Sequence, residues 1–76
     1  MDNKEFWIFT FDNGTAQKIY ANSYLEARIA MWEEYGVKWS FQYSQKEWES
    51  LENDKDRYYH MERILDNIIY AKDQIE

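Results

Sequence analysis

A chain of 76 residues with no cysteine and one histidine, His60, lacks the usual staples of a small domain. Disulfides need paired cysteines, and a structural zinc site takes four nitrogen or sulfur ligands. A chain this short also buries a smaller share of its surface than a long one. Dense apolar packing or self-association must hold it together. Four Trp, seven Tyr and four Phe supply the packing, since each such side chain buries roughly 150–250 Å². The length allows one domain, residues 1–76, and no metal or other cofactor is expected.

Charge narrows the partners. The net charge is −6, with the acid spread along the chain. Phosphate binding needs clustered Lys and Arg, so direct nucleic-acid binding is not expected. A protein partner with a basic surface is. No stretch approaches the ~20 apolar residues of a membrane span. Met1-Asp2-Asn3-Lys4-Glu5 carries both signs of charge, unlike a secretory signal. The lack of cysteine fits a reducing compartment. Together these point to a cytoplasmic protein with no membrane contact.

Residues 5–21 read as a β-hairpin. Glu5 to Phe11 is rich in strand-favouring types. Asn13-Gly14 is the strongest short turn signal, because a type I′ turn needs positive φ at both central positions. A two-residue loop there pairs Phe11 with Ala16, Phe9 with Lys18 and Trp7 with Tyr20. One face is then Trp7, Phe9, Phe11 and Tyr20. The other is Phe6, Ile8, Ile19 and Ala21.

Ser23-Tyr24-Leu25-Glu26 has the form of a capping box. It predicts a helix over 24–35 that ends at Gly36 in the left-handed C′ position. The expected apolar stripe is Leu25, Ile29 and Trp32, flanked by Tyr24, Ala27, Met31 and Tyr35. Residues 37–43 alternate strictly, which predicts a strand with Val37, Trp39, Phe41 and Tyr43 on its buried face.

Ser44-Gln45-Lys46-Glu47 is a second capping box, with Tyr43 and Trp48 placed as a hydrophobic staple. A helix is expected over 45–75, since Tyr58, Met61, Ile64, Leu65, Ile68, Ala71 and Ile75 follow helical spacing. Unbroken, it would run roughly 46 Å at 1.5 Å per residue, too long for a compact domain of this size. A break is expected near 53–56, with Asp54 capping the second segment. The alternative is a continuous helix packed on another subunit.

The predicted class is α+β, in the order β-β-α-β-α(-α). A three-stranded antiparallel-type sheet of order 2-1-3 carries its helices on one face, and the crossover into the third strand is right-handed. The hairpin is apolar on both faces, so one face is left needing a lid. Either a C-terminal segment covers it, or Lys18 and Tyr20 shield it, or it is a contact surface. The contact reading selects Trp7, Phe9, Phe11 and Tyr20.

Glu47, Glu49, Glu52, Asp54 and Asp56 form an acidic run. It reads either as a contact for basic residues or as a solvated helix face. Counting from Asp54, a calcium loop would need Gly and Glu where Tyr59 and Leu65 stand. His60 lies between Tyr59 and Met61, with no nucleophile or partner carboxylate in a known arrangement. The two glycines are assigned to the turn and the helix end, leaving no phosphate-cradling loop. An enzyme is not expected.

Phe9-Thr10-Phe11-Asp12-Asn13-Gly14, followed by Ala21-Asn22-Ser23-Tyr24-Leu25-Glu26-Ala27, resembles small acidic proteins of phages and mobile elements, including anti-CRISPR inhibitors. The resemblance spans residues 6–36 and carries over no individual contact residue. It implies a phage-encoded inhibitor in the cytoplasm of a host bacterium. Such a protein blocks a basic, nucleic-acid-handling defence effector such as a CRISPR nuclease. Two other readings stay open: a homodimeric structural or regulatory module, and a small-molecule (nucleotide) binder.

Overall fold

The computed structural model describes residues 4–36, 38–53 and 62–72. Its chain order is β1 (Glu5–Thr10), β2 (Thr15–Ala21), α1 (Tyr24–Tyr35), β3 (Phe41–Ser44), α2 (Gln45–Glu52) and β4 (Arg63–Tyr70). The four strands form one mixed sheet in the order β3-β1-β2-β4. β1 pairs antiparallel with β2 and β3, and β2 pairs parallel with β4. The α+β class and the 2-1-3 order of the first three strands match expectation. The fourth strand and the mixed sheet correct it.

The hairpin turn sets the first departure. Asn13 does not have positive φ, whereas Gly14 does, at 86°. Gly14 N–H donates to Phe11 C=O, and Phe11 N–H donates to Thr15 C=O. This is a three-residue loop, a tight turn followed by a glycine bulge. Asn13 Oδ1 accepts from both the N–H and the hydroxyl of Thr15. The extra loop residue shifts the register by one, pairing Phe9 with Gln17, Trp7 with Ile19 and Phe6 with Tyr20. A one-residue slip exchanges faces on one strand relative to the other. Ile19 and Ala21 therefore join Phe9, while Tyr20 joins Phe6 and Ile8.

The two helices lie on opposite faces of the sheet, not on one. α1 covers a cluster of Phe9, Ile19, Ala21, Ala27, Met31 and Ala71. α2 inserts Trp48 against Ile8 and Ala16 on the other face. The lid that the hairpin required thus comes from both sides. Both helices are capped as their sequences dictate. Ser23 Oγ accepts from Glu26 N–H, and Glu26 reaches back to Asn22 N–H. Gly36 ends α1 as expected, but at φ 71° and ψ −139°, a positive-φ conformation open to glycine rather than the left-handed helical one, and its N–H donates to Trp32 C=O. In α2, Ser44 and Glu47 form the reciprocal box, and the rings of Tyr43 and Trp48 meet at 5.6 Å as the expected staple.

β3 begins at Phe41 rather than at residue 37. Trp39 packs edge-on against Phe9 and donates its indole N–H to Gln42. Tyr43 pairs with Ile8 on the α2 face, so Trp39 and Tyr43 do not share a face. Val37 lies outside the described residues. Thr10 closes this corner: its hydroxyl donates to Phe41 C=O and accepts from Phe41 N–H.

α2 ends at Asn53, where a break was expected. Beyond it residues 63–70 form a strand, not a helix. Ile64, Leu65, Ile68 and Ile69 are two adjacent apolar pairs four apart. A helix stripe and a strand buried on both faces produce the same spacing. The β-branched isoleucines and the open side of β2 favour the strand. Its register with β2 is irregular between Ala16 and Lys18, where Ile64 pairs with Ala16 and Ile68 with Lys18. Gln17 fills the irregularity. Its side chain is buried, donates to Asn67 C=O at 2.7 Å, and accepts from Tyr35 hydroxyl at 2.6 Å. The expected cap at Asp54 lies outside the described residues.

Candidate protein-interaction surface

The residues singled out from the sequence separate in three dimensions. Phe9 is wholly buried beneath α1. Trp7 and Phe11 are half-buried on the same face, against Tyr24 and Tyr35. Tyr20 sits on the opposite face, between Phe6 and Tyr70. The four side chains do not form one open patch, because the register shift removes Tyr20 and α1 covers the rest.

The acidic run also divides. Glu47 accepts the Ser44 N–H at 2.9 Å as part of the cap. Glu49 accepts from Gln45 Nε2 at 3.2 Å, and Glu52 is exposed at the helix end. Glu47 and Glu49 therefore have local structural partners. Asp54 and Asp56 lie outside the described residues.

A different surface emerges on α1. Its inward positions are small or slender: Ala27 and Met31 are buried and Ala30 packs beside them. The bulk comes from the sheet, through Trp7, Phe9 and Phe11. Leu25, Ile29 and Trp32, spaced four and three apart, share the other side of the helix. Leu25 is 61% exposed and Trp32 62%, with Ile29 half-buried between them. The apolar stripe read from the helical spacing is thus the outer face. Two alanines three apart, Ala27 and Ala30, are the sequence signal for the true inner face, because they let a helix approach a sheet of large rings.

Glu33 and Glu34 are exposed and diverge around the helix, Glu33 bordering the stripe and Glu34 turned away from it, and the last turn of α1 has no basic residue. The carboxylates add to the partial negative charge of the helix C-terminus. The C-terminal end of α1, next to the apolar stripe, therefore carries negative potential.

Two further features complete the surface. On the α2 side, an aromatic row runs across three strands. Phe6 meets Tyr20 edge-on at 6.2 Å, and Tyr20 stacks on Tyr70 at 5.4 Å. Lys18 Nζ lies 4.3 Å from the Phe6 ring centroid, in cation–π range. At the hairpin end, an open hollow of about 600 Å³ is lined by Phe11, Tyr35, Lys38, Arg63 and Leu65 among others.

Among the described residues, no three His, Cys, Asp or Glu side chains converge to hold a metal ion. His60 lies outside them. No described helix is long and apolar enough to cross a membrane. No family model, curated protein or solved structure matches this chain.

Proposed function

We propose that this protein is a non-catalytic binding module that docks on another protein through Leu25, Ile29 and Trp32. The observation that carries the reading is the outer stripe of α1, two of its three residues strongly exposed, beside a helix end whose last turn holds acids and no basic residue. Trp is the residue type most enriched among anchors that dominate interfaces. Leu25 and Ile29 would flank it with further desolvated area. Acids placed against the helix dipole cost stability in the free protein. Lys or Arg from a partner would relieve that cost.

This chemistry fits a basic partner. We infer a nucleic-acid-handling effector in the host cytoplasm, of the kind a CRISPR nuclease represents, blocked by a phage-encoded inhibitor. The apolar stripe would seat beside the effector's nucleic-acid groove, and the acids would occupy its Lys and Arg side chains. Opposite charge would speed association and make it sensitive to salt. The test is capture by the tagged protein from bacterial lysate at low and high salt, followed by a cleavage assay on the nuclease recovered. Trp32→Ser should abolish both capture and inhibition while its melting temperature stays near wild type. Capture of the same nuclease by Trp32→Ser at unchanged affinity would overturn the assignment of this surface.

A second reading, a small anionic ligand such as a nucleotide, is favoured by the hollow that joins Lys38 and Arg63 to the rings of Phe11 and Tyr35. A rise in melting temperature with nucleotide, lost in Arg63→Ala, would favour it.

A further inference from the structure

We propose that β4 pairs antiparallel with β4 of a second copy of this chain, joining two sheets into one across a two-fold axis at Ile69. The proposal is independent of the α1 surface. It starts from the two sheet edges. β3 is four residues long and runs straight into α2. Gln45 Oε1 then accepts the Phe6 N–H, closing β1 beyond the last β3 pair. β4 is eight residues long, contains neither Pro nor Gly, and has no second neighbour among the described residues. Long, apolar, unguarded edges are templates for strand addition.

The aromatic row leads to this edge and stops there. Tyr70 is 65% exposed and Ile68 43%. The backbone is also poised for pairing. Ala71 N–H donates inward to Tyr20 C=O. By the alternation of a strand, the N–H and C=O groups of Tyr70 and Ile68 then turn outward.

Residues 66–72 read Asp-Asn-Ile-Ile-Tyr-Ala-Lys, a segment whose chemistry complements its own reverse. With the axis at Ile69, Ile68 of one copy faces Tyr70 of the other. These are the residues whose backbone groups point outward, so each pair exchanges both hydrogen bonds of a narrow antiparallel pair. Asp66 then faces Lys72 of the other copy, at both ends of the seam, and both side chains are exposed. This charge and apolar match selects a second copy as the occupant, in the self-complementary manner of a two-fold interface. An axis at Asp66 would instead set two carboxylates face to face. Because the axis is normal to the sheet, both copies of α1 lie on one side, presenting two outer stripes to one partner.

Charge reversal tests the register. Sedimentation equilibrium is run on the full chain over a wide concentration range, with circular dichroism confirming the fold of each variant. The wild type is expected to dimerise. Asp66→Lys and Lys72→Glu, each alone, place like charges opposite one another at both ends. Each should weaken dimerisation roughly tenfold to a hundredfold. An equimolar mixture of the two single variants should restore dimerisation, since each seam then has opposite charges at both ends. Trp32→Ser should leave the dimer unchanged. A wild type that is monomeric at every concentration would overturn the proposal. So would single variants that dimerise as tightly as wild type, or a mixture no tighter than either variant alone.

Discussion

The two faces of the sheet are closed by opposite means. Beneath α1 the sheet supplies large rings, and the helix supplies Ala27, Ala30 and Met31 along its middle with Tyr24 and Tyr35 at its ends. Beneath α2 the helix supplies the one fully buried ring, Trp48, with Leu51 beside it, and the sheet supplies Ile8 and Ala16 flanked by Phe6, Tyr43 and Ile64. The consequence lies on the outside. A helix that buries alanines has large apolar residues to spare, and α1 turns Leu25 and Trp32 to solvent. The eight-residue α2 buries its only Trp and carries mostly charge elsewhere. α1 thus leaves large apolar side chains exposed, whereas α2 spends its one ring inside.

Several substitutions can break or sharpen this contrast. Trp48→Ala should have the largest effect, about 3–5 kcal/mol lost in chemical denaturation, because Trp48 is 2% exposed and is the largest buried side chain on the α2 side. A loss below ~1 kcal/mol would show that α2 is not the real cover of that face. Next come the tight contacts of the other face. Ala27→Leu should cost about 1–3 kcal/mol by overpacking, since α1 lies close to the rings below it. A neutral or stabilising result would mean that the sheet, and not the helix, has room to yield.

Gln17→Ala removes the group that joins the Tyr35 hydroxyl to the Asn67 carbonyl. A loss of about 1–3 kcal/mol is expected, read by denaturation together with the amide exchange of β4. Unchanged protection in β4 would separate that strand from the α1 face. Glu34→Lys should raise stability by about 0.3–1 kcal/mol at low salt, an increment that high salt removes. It should also weaken partner capture. Smallest is Trp32→Ser, expected to change folding stability by no more than about 0.5 kcal/mol because the side chain is mostly in water.

Legibility followed the range of the interactions. Ser23 and Ser44 marked both helix starts because capping is a contact within four residues. Gly36 marked the end of α1 for the same reason. Tyr43 and Trp48 were legible as a staple, being only five residues apart. The hairpin was legible, but its register was not. Asn13-Gly14 supports both a two-residue and a three-residue loop, and the choice moves Tyr20 to the other face. β4 was misread because its parallel pairing with β2 joins residues about fifty apart, such as Lys18 and Ile68. Nothing local distinguishes its isoleucines from a helix stripe.

The candidate surface depended on the same distinction. Leu25, Ile29 and Trp32 stood out as one stripe, as the helical period requires. Which side of α1 faces the sheet was open, because the helix is apolar nearly all round. Tertiary packing decided it: a face already filled by Trp7, Phe9, Phe11 and Trp39 leaves space for alanine along the middle of α1 and none there for Trp32. By itself the sequence determined what chemistry is local. It excluded disulfides, specified the helix starts and the turn glycine, and supplied more aromatic rings than the core encloses. The tertiary structure decided which of those rings are spent inside, since burial depends on the volume that distant strands leave for each helix.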